Sequence, residues 1–292
     1  MKYWIPTLLA FCIINAASAQ EWTLAQGEAK VFASYSSLSF DQSFNPDGDV
    51  FEHPTCYNVS DRSLQLSVDY GITARMTAFA RVPYRMVVNG IDDPACAENA
   101  EDPLAAHLAT IPRPFGGSLN ALGNVQTGLN YRLSASRPFT ASLLVEWNTG
   151  SFNYIDGTAT GFNSAGFFPG IAYTHGTEKF WTSVYAAGEL RTNGYAHAFN
   201  GRLEMGYKPF SILYVAINAA ARLPVTEADD CDCTLPWSSL YLAEQAYVAL
   251  TLKTGLEYKQ FGMHLATGIA PYAANIGAAP VATIGFSYHL LP

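Results

Sequence analysis

Two kinds of residue cluster in this 292-residue chain could do chemistry. Asp229-Asp230-Cys231-Asp232-Cys233 puts two thiols and three carboxylates within five residues, donors that together could hold zinc. A short CxC with no histidine beside it is a poor zinc site, and an exported chain oxidises such thiols, so a disulfide is the favoured reading. The six histidines, His53, His107, His175, His197, His264 and His289, could serve as bases for a serine nucleophile. That chemistry needs the base within hydrogen-bond reach of the hydroxyl and a third group to orient it. None of the six sits in a recognisable serine motif. A Gly-rich phosphate loop, a basic nucleic-acid stripe and a nucleotide-binding strand-turn-helix pattern are also missing. The sequence therefore reads as a non-enzyme with no cofactor, no metal and no nucleic-acid partner.

What positions the remaining polar residues is a repeat. Alternating apolar residues lead to a tyrosine and then a tight polar turn in Val68-Asp69-Tyr70-Gly71, Leu129-Asn130-Tyr131-Arg132, Ile171-Ala172-Tyr173-Thr174, Met205-Gly206-Tyr207-Lys208, Leu256-Glu257-Tyr258-Lys259 and Phe286-Ser287-Tyr288-His289. Strand side chains alternate with a period of two, so Leu64, Leu66, Val68 and Tyr70 share one face while Ser63, Gln65, Ser67 and Asp69 share the other. Segments 125–133 and 248–258 repeat the pattern. A soluble sandwich has no reason to end every second strand on an apolar-face tyrosine. A membrane barrel does, because aromatic rings settle at the lipid–water boundary. Tyr70, Tyr131, Tyr173, Tyr207, Tyr258 and Tyr288 are thus expected to form a periplasmic aromatic girdle. Return strands are expected near 28–40, 75–88, 139–149, 179–191, 210–222 and 261–270, about twelve strands in all.

The same parity sends a set of charges to the wet interior: Arg75, Arg81 and Arg85, then Glu146, Glu189 and Arg191, Arg202 and Glu204, Lys253 and Glu257. These pore-lining candidates form either a charge ladder that selects solutes or ion pairs that fill the lumen, and twelve strands lie between a filled barrel and an aqueous one.

Composition agrees with a β-protein half exposed to lipid. Hydrophobic residues make up 49% of the chain and charged ones 14%, against about 25% charged in ordinary soluble domains. Tyr3–Ile14 is apolar and is followed by Ala17-Ser18-Ala19, a signal-peptidase pattern, so residues 1–19 read as a cleaved signal peptide and 20–292 as a single barrel domain. Loss of Lys2 takes the formal charge from −8 to −9. Segments 41–61, 89–121 and 223–245 read as long outward loops; they carry fifteen of the 24 acidic residues and one base, Arg113. An acidic mouth of this kind disfavours fast entry of free fatty acids or phosphorylated solutes and suits neutral or cationic ones. Cys56, Cys96, Cys231 and Cys233 fall in the same loops; four cysteines allow three pairings, all of them open here.

The run Leu122-Gly123-Asn124-Val125-Gln126-Thr127-Gly128-Leu129-Asn130-Tyr131-Arg132-Leu133, then Pro138-Phe139 and a strand ending Trp147-Asn148-Thr149-Gly150, resembles the outer-membrane transporters of the phenol-degradation (meta-pathway) family. These are similar in turn to fatty-acid and toluene uptake barrels. The resemblance is close over roughly 120–150 and looser to about 225, and it implies uptake of small hydrophobic or aromatic compounds. The chain has Asn124 where the family usually has Asp, and too few residues before Glu28 for the N-terminal plug of fatty-acid transporters. Thr283-x-Gly285-x-x-Tyr288-x-Leu290 is similar to the terminal signal by which barrels are recognised for insertion.

The expectation is an all-β transmembrane antiparallel barrel in the cell outer membrane, passing small hydrophobic, aromatic or neutral molecules. Its partners would be outer-membrane lipid, lipopolysaccharide, a small-molecule solute and the barrel-assembly machinery. A non-conducting display barrel (adhesin or receptor) and an outer-membrane lipid-modifying enzyme are the alternatives. Parity itself is testable: Leu250→Arg should block assembly, at about 2–4 kcal/mol for a charge in mid-bilayer, whereas Thr251→Arg should fold. Heat-modifiable gel mobility reads the difference, and equal assembly of the two variants would overturn the assigned facing.

Overall fold

The computed structural model describes residues 23–53, 57–91, 116–134, 138–153, 157–229 and 240–291. Twelve antiparallel positions close into a barrel. In chain order they are β1 (Ala29–Phe40), β4 (Tyr57–Thr73), β5 (Met76–Ile91), the broken strand β6 (Gly117–Leu122) with β7 (Gln126–Arg132), β8 (Phe139–Glu146), β9 (Gly166–Gly176), β10 (Phe180–Arg191), β11 (Ala198–Phe210), β12 (Leu213–Pro224), β13 (Ala246–Tyr258), β14 (Phe261–Ala274) and β16 (Val281–Leu290). Each pairs with its sequence neighbours, and β1 closes the ring by pairing with β16 and β4 together. Closure pairs the strands round the ring on both sides, with β6 alone of the barrel strands bonded to a single neighbour, β5.

The outer face is apolar all the way round. Leu64, Leu66, Val68 and Tyr70 on β4, Val184 and Leu190 on β10, and Leu250, Leu252 and Leu256 on β13 are all exposed there, while Ser67, Ser183 and Glu189 of alternate parity are buried inside. The six repeat tyrosines share this outer face at one end of the barrel. Three of them meet a neighbouring ring: Tyr207 stacks on Phe180 at 4.5 Å, and Tyr173 and Tyr288 sit 5.0 Å and 4.7 Å from Phe139 and Phe261. Cross-strand register sets these meetings, since Tyr207 is opposite Phe180 and Tyr173 opposite Phe139.

The links sort by end. Those after the tyrosines are short, and Lys259 shows the tight geometry expected there, adopting φ +56° between β13 and β14. At the opposite end the chain does more than the simple loops expected there. Residues 57–61 and 117–121, assigned to loops, are strand. Two short strands, β2 (Gln42–Phe44) and β3 (Val50–Glu52), join β15 (Ile276–Gly277) in a separate three-stranded sheet. β8 ends at Glu146, short of the 149 expected, and the connection from there to β9 includes the bridge Phe152–Ala159. Phe40, Tyr57, Val59, Val87 and Leu240 bury one another at this end, an apolar cluster on the β1, β4 and β5 side. Residues 1–19 and Cys56, Cys96, Cys231 and Cys233 lie outside the described residues, as does most of the 229–233 segment.

β14 changes face part way along. Val248 pairs with Tyr272 but Leu250 pairs with Ile269, so the ladder slips at Ala270–Pro271. Below the slip the even residues, His264 among them, point inward; above it Tyr272 is outward and exposed.

Inside the barrel, large rings lie flat against the wall over glycines on the next strand. Trp181 is directly opposite Gly206, Tyr214 opposite Gly255, Phe79 opposite Gly128 and His264 opposite Gly285. A Cβ added at Gly206 would fall 1.9 Å from the Trp181 ring, and one at Gly255 would fall 2.4 Å from the Tyr214 ring. The missing side chain is what lets each ring hug the sheet and leave the lumen clear. Gly206→Val should therefore lift Trp181 off the wall and cost about 1–3 kcal/mol of overpacking, seen as a lower thermal transition in detergent. Gly201→Val, whose added Cβ would touch only Phe199 at 3.6 Å, should be far milder.

Candidate functional site: the barrel lumen

Three layers of polar side chains follow one another along the lumen. The first closes the loop end between β8 and β13. Glu189 is 1% exposed and is held by Arg222, whose Nε and Nη2 donate at 2.9 Å and 3.0 Å to its two carboxylate oxygens. Arg191 Nε and Asn200 Nδ2 donate to Glu189 as well, the latter at 2.7 Å. Arg191 Nη1 reaches on to Glu146 at 2.9 Å, and Gln126 Nε2 and Asn124 Nδ2 complete that carboxylate at 2.8 Å and 3.2 Å. Two arginines thus balance two glutamates, with the forks saturating the carboxylates. Ion pairs this deep persist only when their hydrogen bonds are met, because desolvating each charge costs several kcal/mol.

Loop residues seal this layer. The guanidinium of Arg191 lies 3.8 Å from the Phe162 ring centre, and Phe162 meets Tyr195 and Tyr241 edge-on at 5.7 Å and 5.1 Å. Tyr241 holds φ +56° and its ring lies 5.2 Å from Arg85, which pairs with Asp61 on the facing strand. The Tyr241 hydroxyl is buried with no hydrogen-bond partner, and burial pushes its pKa well up, holding it neutral.

The second layer is a chamber of about 600 Å³ in mid-barrel. Lys30, Arg81, Arg202 and Lys253 face it with Asp69 and Glu204, and Phe32, Phe79, Tyr185 and Tyr247 supply its rings. Lys253 Nζ is 3.4 Å from Glu204, which also accepts from Trp181 Nε1 at 2.9 Å.

The third layer narrows the turn end. Residues before β1 fold into it: Arg132 donates to Thr23 Oγ1 from Nε at 3.0 Å and Nη2 at 2.7 Å, and Leu24 N–H donates to Thr77 Oγ1 at 2.7 Å. Gly71 permits this approach, since an added Cβ would sit 1.9 Å from the Ala25 carbonyl oxygen. Lys208 and Glu257 pair beside them at 2.6 Å, both partly exposed.

The parity-assigned charges therefore separate. Glu146, Glu189 and Arg191 belong to the buried cluster, Arg85 to its Asp61 pair, Arg81, Arg202, Glu204 and Lys253 to the chamber, and Glu257 to the turn end. Arg75 lies in the β4–β5 turn and is exposed, with its carbonyl accepting from Arg132 N–H at 2.8 Å. Sequence reasoning placed Asp69 on the polar face of its strand without naming it as pore-lining; it missed Arg222, although this shares the parity of Asn218 and Ala220 on its strand, and missed Lys30 and Asp61. Phe162 and Tyr241 carried no signal, because loop residues have no period.

A Ser–His pair does occur in the small sheet, where Ser43 Oγ and His53 Nε2 are 2.7 Å apart. It fails as a nucleophile and base. Ser43 is 0% exposed, and His53 Nδ1 is buried with no group to orient it. Burial lowers the His53 pKa against the opposing pull of Asp41, favouring the neutral ring.

The sequence matches no established family description and no curated protein. Among solved structures, the fold is similar to an outer membrane channel from Pseudomonas putida F1, with a TM-score of 0.68 at 14% identity over 94% of this chain and 100% of that one. It is also similar to the NanC porin, with a TM-score of 0.50 at 9% identity over 90% of this chain and 100% of that one. Identities this low establish the barrel fold.

The layers differ in what they hold up. Glu189→Gln should leave two buried arginines facing the single carboxylate of Glu146 and cost about 3–5 kcal/mol, whereas Lys208→Met, in a partly exposed pair, should cost about 0–1 kcal/mol. Thermal unfolding in detergent micelles compares the two; equal transitions would show that the buried cluster is not a stabilising unit.

Proposed function

We propose that the protein is an outer-membrane channel for passive uptake of small aromatic, otherwise hydrophobic or neutral molecules. The observation that carries this reading is a closed barrel with an apolar outside and a ring-lined chamber of about 600 Å³ inside. An outer surface of exposed leucine, valine and aromatic residues on every strand is stable in lipid and would aggregate in water. Rings laid flat on glycines keep the middle of the lumen available to a solute, and a chamber of this size is ordinary for small-molecule sites. Both similar structures named above are described as channels or porins, which supports transport over catalysis.

On this reading residues 1–19 are the export signal, the barrel-assembly machinery inserts the chain, and outer-membrane lipid with lipopolysaccharide surrounds it. The loop end faces outward and the tyrosine end faces the periplasm, because bacterial barrels keep their short turns there. Oxidation of the four loop cysteines to disulfides fits the same compartment. The packing of Phe162, Tyr241 and the apolar cluster across the loop end is the observation that favours the second reading, a non-conducting display barrel.

Planar-bilayer recording of the refolded protein separates the two. Discrete unitary openings are expected, with larger conductance in Phe162→Ala and Tyr241→Ala, which remove the rings over Arg191 and Arg85. A folded barrel that stays silent as wild type and in both variants would leave display as the function.

A further inference from the structure

The chamber carries a charge that passive diffusion does not require. Among the described residues, four cations, Lys30, Arg81, Arg202 and Lys253, face it against two carboxylates, Asp69 and Glu204. The cluster beside it at the loop end is balanced, Arg191 and Arg222 against Glu146 and Glu189. An excess of two positive charges enclosed by a protein wall attracts anions far more strongly than the same charges on a wet surface.

The same residues set the shape of what would bind. Arg81 lies 5.0 Å from the Phe79 ring centre, Arg202 lies 5.8 Å from that of Tyr185, and Lys30 lies 4.8 Å from that of Phe32. Cationic heads and apolar ring faces are therefore presented side by side to one occupant. Arg81 and Arg202 lie within each other's field, and both act on Tyr185. A carboxylate between two guanidinium forks would relieve their repulsion and can accept from either in a bidentate manner.

We infer that the chamber is a binding site for a small aromatic carboxylate, its ring against Phe79 and Tyr185 and its carboxylate toward Arg81 and Arg202. This deepens the channel reading, on which it rests for access to the chamber. The acidic loops act on entry alone, because their field fades over about 8–10 Å at physiological salt. They slow the approach of an anion, while the chamber sets how long it stays.

Benzoate, benzyl alcohol and acetate are the probes, titrated into the refolded full-length mature protein in detergent by calorimetry at low ionic strength. Benzoate is expected to bind at least tenfold more tightly than either comparator, and 1 M sodium chloride should weaken benzoate while sparing benzyl alcohol. The double variant Arg81→Met, Arg202→Met should lose the preference, with Lys208→Met retaining it. Equal affinity for benzoate and benzyl alcohol, or for benzoate and acetate, overturns the proposal in wild-type protein alone, whatever the double variant's folding. So does a folded double variant that keeps the full preference. A barrel that binds benzoate but never conducts overturns the channel and leaves the site; one that conducts without preferring benzoate does the reverse.

Discussion

Everything in this molecule depends on closing a hydrogen-bonded ladder into a ring. Once β1 takes both β16 and β4 as partners, the sheet has closed on itself, and side-chain parity becomes a wall with two environments. A residue on a strand faces either lipid or lumen, with no third option. The one place where the ladder slips, at Ala270–Pro271 on β14, shows how strict the rule is, because the facing inverts on either side of it.

The ring fixes where side chains point, but the lumen's contents are settled by how those side chains share limited room. Bulky residues opposite one another would fill a twelve-stranded barrel. Here Trp181, Tyr214, Phe79 and His264 each face a glycine and lie along the wall instead. Chamber volume is thus a property of cross-strand pairs rather than of strand number.

Charge is partitioned with the same economy of space. Toward the loop end, where phenyl and tyrosyl rings exclude water, Arg191 and Arg222 are matched by Glu146 and Glu189, and every oxygen of those two carboxylates is hydrogen-bonded. In the wider chamber the cations outnumber the acids. A sealed region tolerates only neutral groupings, whereas a region open to a solute can keep unbalanced charge for that solute to meet.

The sequence by itself determined the barrel, because period-two alternation and a recurring tyrosine are local patterns that report facing and strand ends directly. Parity also assigned charges to the interior without knowledge of neighbours, but it could not tell that Arg75 falls in an exposed turn, and Arg222 and Lys30 were readable by the same rule. What only the tertiary structure decided was who meets whom. Whether Glu189 joins Arg222, 33 residues away, or Arg81 shares a chamber with Arg202 depends on which strands lie side by side and on their register. Phe162, Tyr241 and the Thr23–Leu24 segment could be placed only by that closed wall, because irregular chain takes its position from the surface it packs against and not from any period of its own.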